Sequence, residues 1–177
     1  MENNNYLKES QQGRPRLLEF LLVLTVVGLL IFIAVHFYQE PIERSKSSMV
    51  EFHSGVFSRM ASNLHAVAKT ATYAGTIPLQ NQLVFLNEHD WPANTDPNLS
   101  PLSKNQTVEG CRQLWNAFFS NAPSSSIAGG KDLNQSNYII SLRNNTICRY
   151  KFARKQEGSN FFDYDVISGA VTVVHPK

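Results

Sequence analysis

The chain carries few charges and no block of charges of one sign. Only 17% of its 177 residues are charged, and the formal net charge is +2. The lysines and arginines are scattered, and no RNA- or DNA-binding motif is present, so we expect no nucleic-acid partner. A chain of this length has room for one soluble domain with a core of ordinary size.

Motifs for catalysis and cofactor binding are also missing. There is no Gly-x-Ser-x-Gly, no phosphate-binding loop and no dinucleotide fingerprint. The five histidines show no metal-ligand spacing. They are His36, His53, His65, His89 and His175. Asp163 and Asp165 share a strand face, as calcium binding or acid–base chemistry would need, but such a pair is more often a solvated strand face. The sequence predicts no enzyme, catalytic residue, metal or cofactor.

Cysteine is scarce, with only Cys111 and Cys148 in the whole chain. In an exported domain such a pair predicts one disulfide. Two separate buried thiols in a reducing compartment are the alternative. A zinc site is not expected, because no second pair of cysteines or histidines completes four ligands.

One long apolar run lies near the N-terminus, at residues 17–38. About 20 apolar residues in a helix span the ~30 Å hydrocarbon core of a bilayer, and no later segment is long or apolar enough. The run predicts a transmembrane helix in a lipid bilayer, with His36 and Tyr38 as anchors at the headgroup level. A cleavable signal peptide is the main alternative, but its apolar region is shorter, about 7–15 residues, and precedes a small-x-small site.

Basic residues on the two sides of this run predict its orientation. Lys8, Arg14 and Arg16 precede the run, whereas Arg44 and Lys46 follow it. By the positive-inside rule, the N-terminus is expected in the cytoplasm and the C-terminal domain on the opposite side. The predicted segments are a tail at 1–16, a transmembrane helix at 17–38, a helical continuation at 39–74 and an α+β domain at 75–177.

After the apolar run, Pro41 should bend or interrupt the helix. Apolar residues then recur at steps of three or four. One series is Met49, Phe52, Val56 and Met60, and a second is Phe57, Met60, Leu64, Val67 and Ala71. This spacing predicts an amphipathic helix over residues 42–73 that packs on the chain's own C-terminal domain. A parallel coiled-coil dimer is the alternative, although strict heptads are absent.

The C-terminal part combines a short helix with strands. The helix is predicted at 108–119, where Thr107 can cap it, and polar loops are predicted at 91–106 and 121–131. Strands are predicted at 82–87, 138–143, 146–153, 161–167 and 170–174. Turns at Asn144-Asn145, at 157–160 and at 168–169 link the last four into an antiparallel meander. The predicted class is α+β, with a long N-terminal helix packed on a C-terminal antiparallel sheet.

Residues 17–30 are similar to the N-terminal signature of type IV pilins and pseudopilins. In that signature a glutamate in an apolar stretch is followed nine residues later by glycine, and Glu19 and Gly28 keep this spacing. The C-terminal layout, with cysteine-tied strands, resembles the same family. The combination of residues 110–115 with 148–150 resembles an accessory biogenesis protein of the mannose-sensitive haemagglutinin (MSHA) type IV pilus.

The resemblance implies a pilin-like fold, a periplasmic domain on a bacterial inner membrane, and pilin-like subunits and pilus assembly machinery as partners. It also implies that Glu19 acts in subunit association by pairing with a neighbour's amine. The alternative is that Glu19 snorkels to the cytoplasmic interface. Gly28 either allows close helix approach or is an ordinary membrane-helix glycine.

Around Gly13 the chain departs from the pilin pattern. Pilins are cut after a glycine, but here Arg14-Pro15-Arg16 follows Gly13 and places Glu19 one position late. Proline inside the site should impede a peptidase, so cleavage and entry into the filament as a major subunit are not expected. Arg14 or Arg16 of a neighbour can then replace the free amine as the partner of Glu19.

Three other interpretations stay open. The first is a minor pseudopilin of a type II secretion system, and the second is a membrane-anchored adhesion module using the loop at 121–131. The third is a type II membrane glycoprotein, because sequons occur at Asn98, Asn105, Asn134 and Asn144. Trp115, Phe118 and Phe119 would suit a docking patch, but their helical spacing favours the core.

Overall fold

The computed structural model describes residues 14–70, 75–130, 133, 135–153 and 160–175, without the side chains of residues 14–15 and 38–46. Residues 1–13 of the predicted tail, the predicted helix end at 71–73 and residues 157–159 of the predicted turn lie outside the described residues. The chain divides into two compact units, Met1–Ser45 and Lys46–Lys177. The class is α+β, with two α-helices and two β-sheets in the described residues.

Helix α1, Arg14–Thr70, contains the apolar run. Its segment Arg16–Phe37 is long and apolar enough to cross a membrane. A signal sequence near an N-terminus can be equally long and apolar. Within the single chain the side chains of this segment are exposed. Pro41 does not end the helix, so the predicted interruption is absent, whereas the alternative of a bend stays a prediction.

The first sheet has three antiparallel strands in the order β1-β2-β3. They are β1 (Thr76–Leu79), β2 (Gln82–Leu86) and β3 (Pro92–Asn94). The sequence predicted only the middle strand, because Pro78 and Pro92 suggested loops on either side of it. Proline is compatible with a strand when that strand lies at an edge of the sheet, as β1 and β3 both do.

Helix α2, Val108–Phe118, follows a short 3₁₀ turn at Ser103–Asn105. The side chain of Thr107 accepts a hydrogen bond from the Gly110 amide at 2.9 Å and so caps the helix as predicted. The buried residues of α2 include Cys111, Leu114, Trp115 and Phe118.

The second sheet has five strands in the order β4-β5-β6-β7-β8. They are β4 (Ser125–Ile127), β5 (Tyr138–Arg143), β6 (Ile147–Phe152), β7 (Phe161–Asp165) and β8 (Val171–Val174). The predicted antiparallel meander is confirmed by β5 to β8. Asn144 and Asn145 both have positive φ, as their turn requires. The predicted loop at 121–131 is wrong at β4, which pairs in parallel with β5.

The C-terminal unit buries one face of α1, but not the one that the first apolar series indicated. Val50 and Phe57 are fully buried, whereas Phe52 is 64% exposed and Met49 is 42% exposed. The buried positions recur along one side of the helix as Val50, His53, Ser54, Phe57, Ala61 and Leu64. The side of α1 that faces the C-terminal domain is therefore the one that carries these buried positions. The predicted packing of the helix on that domain is confirmed.

The two sheets are joined by a buried asparagine and an aromatic contact. Asn87 Nδ2 donates to the Val166 carbonyl at 2.6 Å, and its Oδ1 accepts from the Trp91 amide at 3.0 Å. Gly169, at φ +72°, lies under the Trp91 ring so closely that a Cβ there would come within 2.3 Å of it. Only glycine meets both the backbone angle and the space at this turn.

Candidate functional site

In the N-terminal unit, Glu19 lies near the start of the segment Arg16–Phe37 and is exposed. Gly28 lies in the middle of this segment, where a Cβ would meet nothing within 4 Å. The open position of Gly28 leaves room for another helix to approach. Thr25, between them, bonds its hydroxyl back to the Leu22 carbonyl at 2.8 Å, which satisfies this polar group within the helix.

Glu19 and Gly28 point to opposite sides of α1. An α-helix turns by about 100° per residue, so nine residues come to about two and a half turns. A single straight neighbouring helix therefore cannot contact both residues. If both residues act in association, each contacts a different neighbour.

The predicted interfacial anchors are only partly described. The His36 ring stacks on Phe32, with 6.5 Å between ring centroids, and meets Phe37 edge to face at 6.4 Å. This places the imidazole among aromatic rings at the C-terminal end of the apolar segment. The side chain of Tyr38 lies outside the described residues.

Cys111 and Cys148 form a disulfide, as the cysteine count predicted, with 5.6 Å between their Cα atoms. The bond ties α2 to the central strand β6, and both cysteines are fully buried. Buried Gln106 donates to the Ala93 carbonyl at 3.0 Å and lies 3.4 Å from the Cys148 sulfur. The disulfide and Gln106 thus fasten α2, β3 and β6 together.

A second cluster surrounds His53, whose burial in the core was not predicted. Its Nδ1 lies 2.8 Å from the Tyr138 hydroxyl. Trp115 and Phe119 flank the ring at 5.8 and 5.4 Å between centroids. Burial lowers the pKa of His53, and its hydrogen bond with the Met49 carbonyl only partly opposes this. The signal in the sequence was its position four residues before Phe57, which places both residues on the same face of the helix.

We expect the C-terminal unit to lose stability in mild acid because of His53. The folded state lowers the pKa of His53, so below pH 6.5 the unfolded chain binds more protons at this residue. Stability should therefore rise with pH from the lowered pKa up to about 6.5 and then level off. Urea titrations at pH 5 and 8 measure this. The His53→Phe variant should lose this contribution to the pH dependence of stability. If the variant and the wild type showed the same pH dependence, His53 would not be its source.

The strand carboxylates do not converge. Asp163 accepts two hydrogen bonds from Arg149, both at 2.7 Å, and the guanidinium lies 3.7 Å from the centroid of the Phe161 ring. Asp165 instead accepts from the Ile167 amide and the Ser168 hydroxyl in the following turn. Among the described residues, no group of three His, Cys, Asp or Glu side chains could hold a metal ion. These carboxylates stabilise the sheet and its turn.

The aromatic residues of α2 belong to the core. Trp115 is fully buried, Phe118 is 4% exposed, and the Trp115 indole N–H donates to the Pro123 carbonyl at 2.9 Å. The alternative of a docking patch on these rings is therefore wrong for Trp115 and Phe118.

The geometry thus offers one exposed apolar helix segment with a glutamate and a glycine, and one disulfide-tied unit. No protein-family model matches the chain, and no curated protein or solved structure shows significant similarity to it.

Proposed function

We propose that the chain is a non-catalytic, membrane-anchored, pilin-like protein that acts in the assembly of a type IV pilus of the MSHA type. The observation that carries the proposal is the exposed apolar segment Arg16–Phe37 with Glu19 inside it. In this proposal the segment is an uncleaved anchor in a bacterial inner membrane, the N-terminus is cytoplasmic and the C-terminal unit is periplasmic. The disulfide supports an oxidising compartment for that unit.

Glu19 is the residue through which subunits would recognise one another. A carboxylate in hydrocarbon costs about 2.5–3.5 kcal/mol near the centre of a membrane helix and less toward its ends, so it favours a cationic partner. Arg14 and Arg16 of a neighbouring copy, or the arginines of another pilin-like subunit, supply such a cation. The pair would draw two apolar helices together side by side.

The positions of Glu19 and Gly28 support an assembly of more than two helices. Because these residues lie on opposite sides of α1, one neighbour would pair with the carboxylate while another packs against the glycine. A filament or its initiating complex offers each subunit several neighbours, whereas a simple dimer offers one. This supports an assembly role over that of an isolated anchored module.

We expect Glu19→Gln to reduce surface pili strongly while leaving the amount of protein in the membrane unchanged. The amide keeps the size of the side chain but removes the charge that recruits a cation. Counting pili by electron microscopy in a deletion strain complemented with each variant measures the effect. Glu51→Gln is the matched control, since Glu51 is an exposed carboxylate on the same helix within the C-terminal unit. Normal piliation with Glu19→Gln would contradict the pairing role.

Deletion of the gene separates pilus assembly from secretion. Loss of pili with normal enzyme secretion supports the proposal, and the reverse result supports a minor pseudopilin. Loss of adhesion with intact pili would instead support a recognition module. The intact mass of the purified protein tests processing, because peptidase cleavage after Gly13 would remove the first 13 residues.

A further inference from the structure

The two sheets have four edge strands in the described residues, and three of them are protected against pairing with another chain. Pro78 lies within β1, and Pro92 lies within β3, whose Ala93 carbonyl accepts from Gln106. Strand β4 is only three residues long, and its outward Ile127 carbonyl accepts a hydrogen bond from the Gly130 amide in the chain that follows it. Prolines, short length and coverage are the usual means of blocking an edge.

Strand β8 has four residues and no proline, and in the described residues no other segment is bonded along its outer edge. Its sequence is Val-Thr-Val-Val, without charge, proline or glycine, and among the described strands it pairs only with β7. Thr172 is exposed, and Val171 and Val173 are only partly buried although their side chains contact the core. An uncharged β-branched edge of this kind is well suited to accept another strand.

The hydrogen-bond pattern shows which backbone groups of β8 face outward. The Asp165 amide donates to the Ala170 carbonyl, and bonded pairs alternate along an antiparallel ladder. With the observed register, Thr172 and Val174 direct their backbone groups to β7. Val171 and Val173 therefore direct theirs away from the sheet. Within the part of the chain that the structure describes, no backbone N–H or C=O group is bonded to these outward groups.

This arrangement is self-complementary about Thr172. If a second β8 lies antiparallel with Thr172 opposite Thr172, then Val171 of each copy stands opposite Val173 of the other. The outward N–H and C=O groups of these valines then form four hydrogen bonds, and none is left over. Thr–Thr and Val–Val cross-strand pairs are favourable, whereas a charge at the centre would repel itself.

We propose that β8 is a docking edge for β8 of a second copy of this chain, giving a two-fold dimer with one sheet continuous across both copies. A closed two-fold contact uses the same four residues on each side and leaves no free edge to propagate. The dimer buries the partly exposed rims of Val171 and Val173. The inference does not depend on the pilus role, because β8 pairing is measured on the purified protein and needs no Glu19.

Cross-linking at the two-fold position tests the proposal on the full-length protein in detergent micelles and in membrane vesicles. In the predicted dimer the two Thr172 Cα atoms lie about 4.5 Å apart, within the ~4.4–6.8 Å range of disulfides. Mild oxidation with copper phenanthroline should therefore convert Thr172→Cys to a covalent dimer. Asn116→Cys, at an exposed position on α2, is the matched control and should stay monomeric. Equal cross-linking of the two variants would overturn the proposal.

A second pair of variants tests the backbone contacts. Val173→Pro removes an outward N–H without touching the ladder to β7, so it should abolish the dimer in sedimentation velocity while the protein stays folded. Val173→Ala keeps that N–H and should retain the dimer. A dimer that survives Val173→Pro would place the contact elsewhere and overturn the proposal, as would a wild-type protein that stays monomeric at all concentrations. If Val173→Pro does not fold, the Thr172→Cys result decides alone.

Discussion

Replacing Cys111 and Cys148 together with serine should lower the free energy of unfolding of the C-terminal unit by about 4 kcal/mol. The disulfide joins residues 37 positions apart, and the chain-entropy model gives ~4 kcal/mol for a loop of this size. Both cysteines are fully buried, so two serine hydroxyls would also need partners in an apolar site. Urea titration followed by the fluorescence of Trp91 and Trp115 measures the loss.

The reduced wild-type protein is the control for this experiment. Reduction removes the same cross-link without changing the side-chain sizes in the core, so it should lose a similar amount of stability. The Gln106 contacts to Ala93 do not depend on the disulfide, which leaves part of the α2 attachment in place. Equal urea midpoints for the oxidised wild type and the double serine variant would show that the disulfide does not stabilise this unit.

Phe57→Ala should cost about 3–5 kcal/mol, the range for removing a buried phenylalanine ring. Phe57 is fully buried where α1 meets α2 and the second sheet. Its ring centroid lies 4.6 Å from Phe118, 5.0 Å from Tyr150 and 5.2 Å from Tyr164. Truncation would leave a cavity among rings that are themselves held by neighbours, so little collapse can fill it.

Phe52→Ala is the matched control, with the same chemical change on the same helix. Phe52 is 64% exposed, so its truncation should change the unfolding free energy by no more than about 0.5 kcal/mol. Both variants are measured by urea titration of the full-length protein. Similar losses for the two would contradict the assignment of Phe57, and not Phe52, to the core face of α1.

The comparison of these two phenylalanines shows how far the sequence pattern reaches. The steps of three and four predicted an amphipathic helix and its packing on the chain's own domain, and both are confirmed. The pattern did not tell which of two overlapping apolar series is buried, because Phe52 and Phe57 fit helical spacing equally well. The choice depends on the shape of the surface that α2 and the second sheet present to the helix.

Short strands were harder to predict than long ones. Strands β5 and β6 have six residues each and alternate clearly between buried and outward positions, so their local pattern was sufficient. Strands β3 and β4 have only three residues, and prolines or serines made those segments resemble loops. Such segments become strands because a neighbouring strand supplies their hydrogen-bond partners.

The same contrast holds for the candidate sites. The sequence by itself determined the apolar segment with Glu19 and Gly28, the cysteine pair and the order of the last four strands, because these depend on composition or on periods of a few residues. Only the tertiary structure decided that His53 is buried against Tyr138, that Asp163 pairs with Arg149, and that β8 is the unprotected edge. These properties depend on which distant segments meet, and the free energy that selects those contacts comes from burial and pairing across the whole unit.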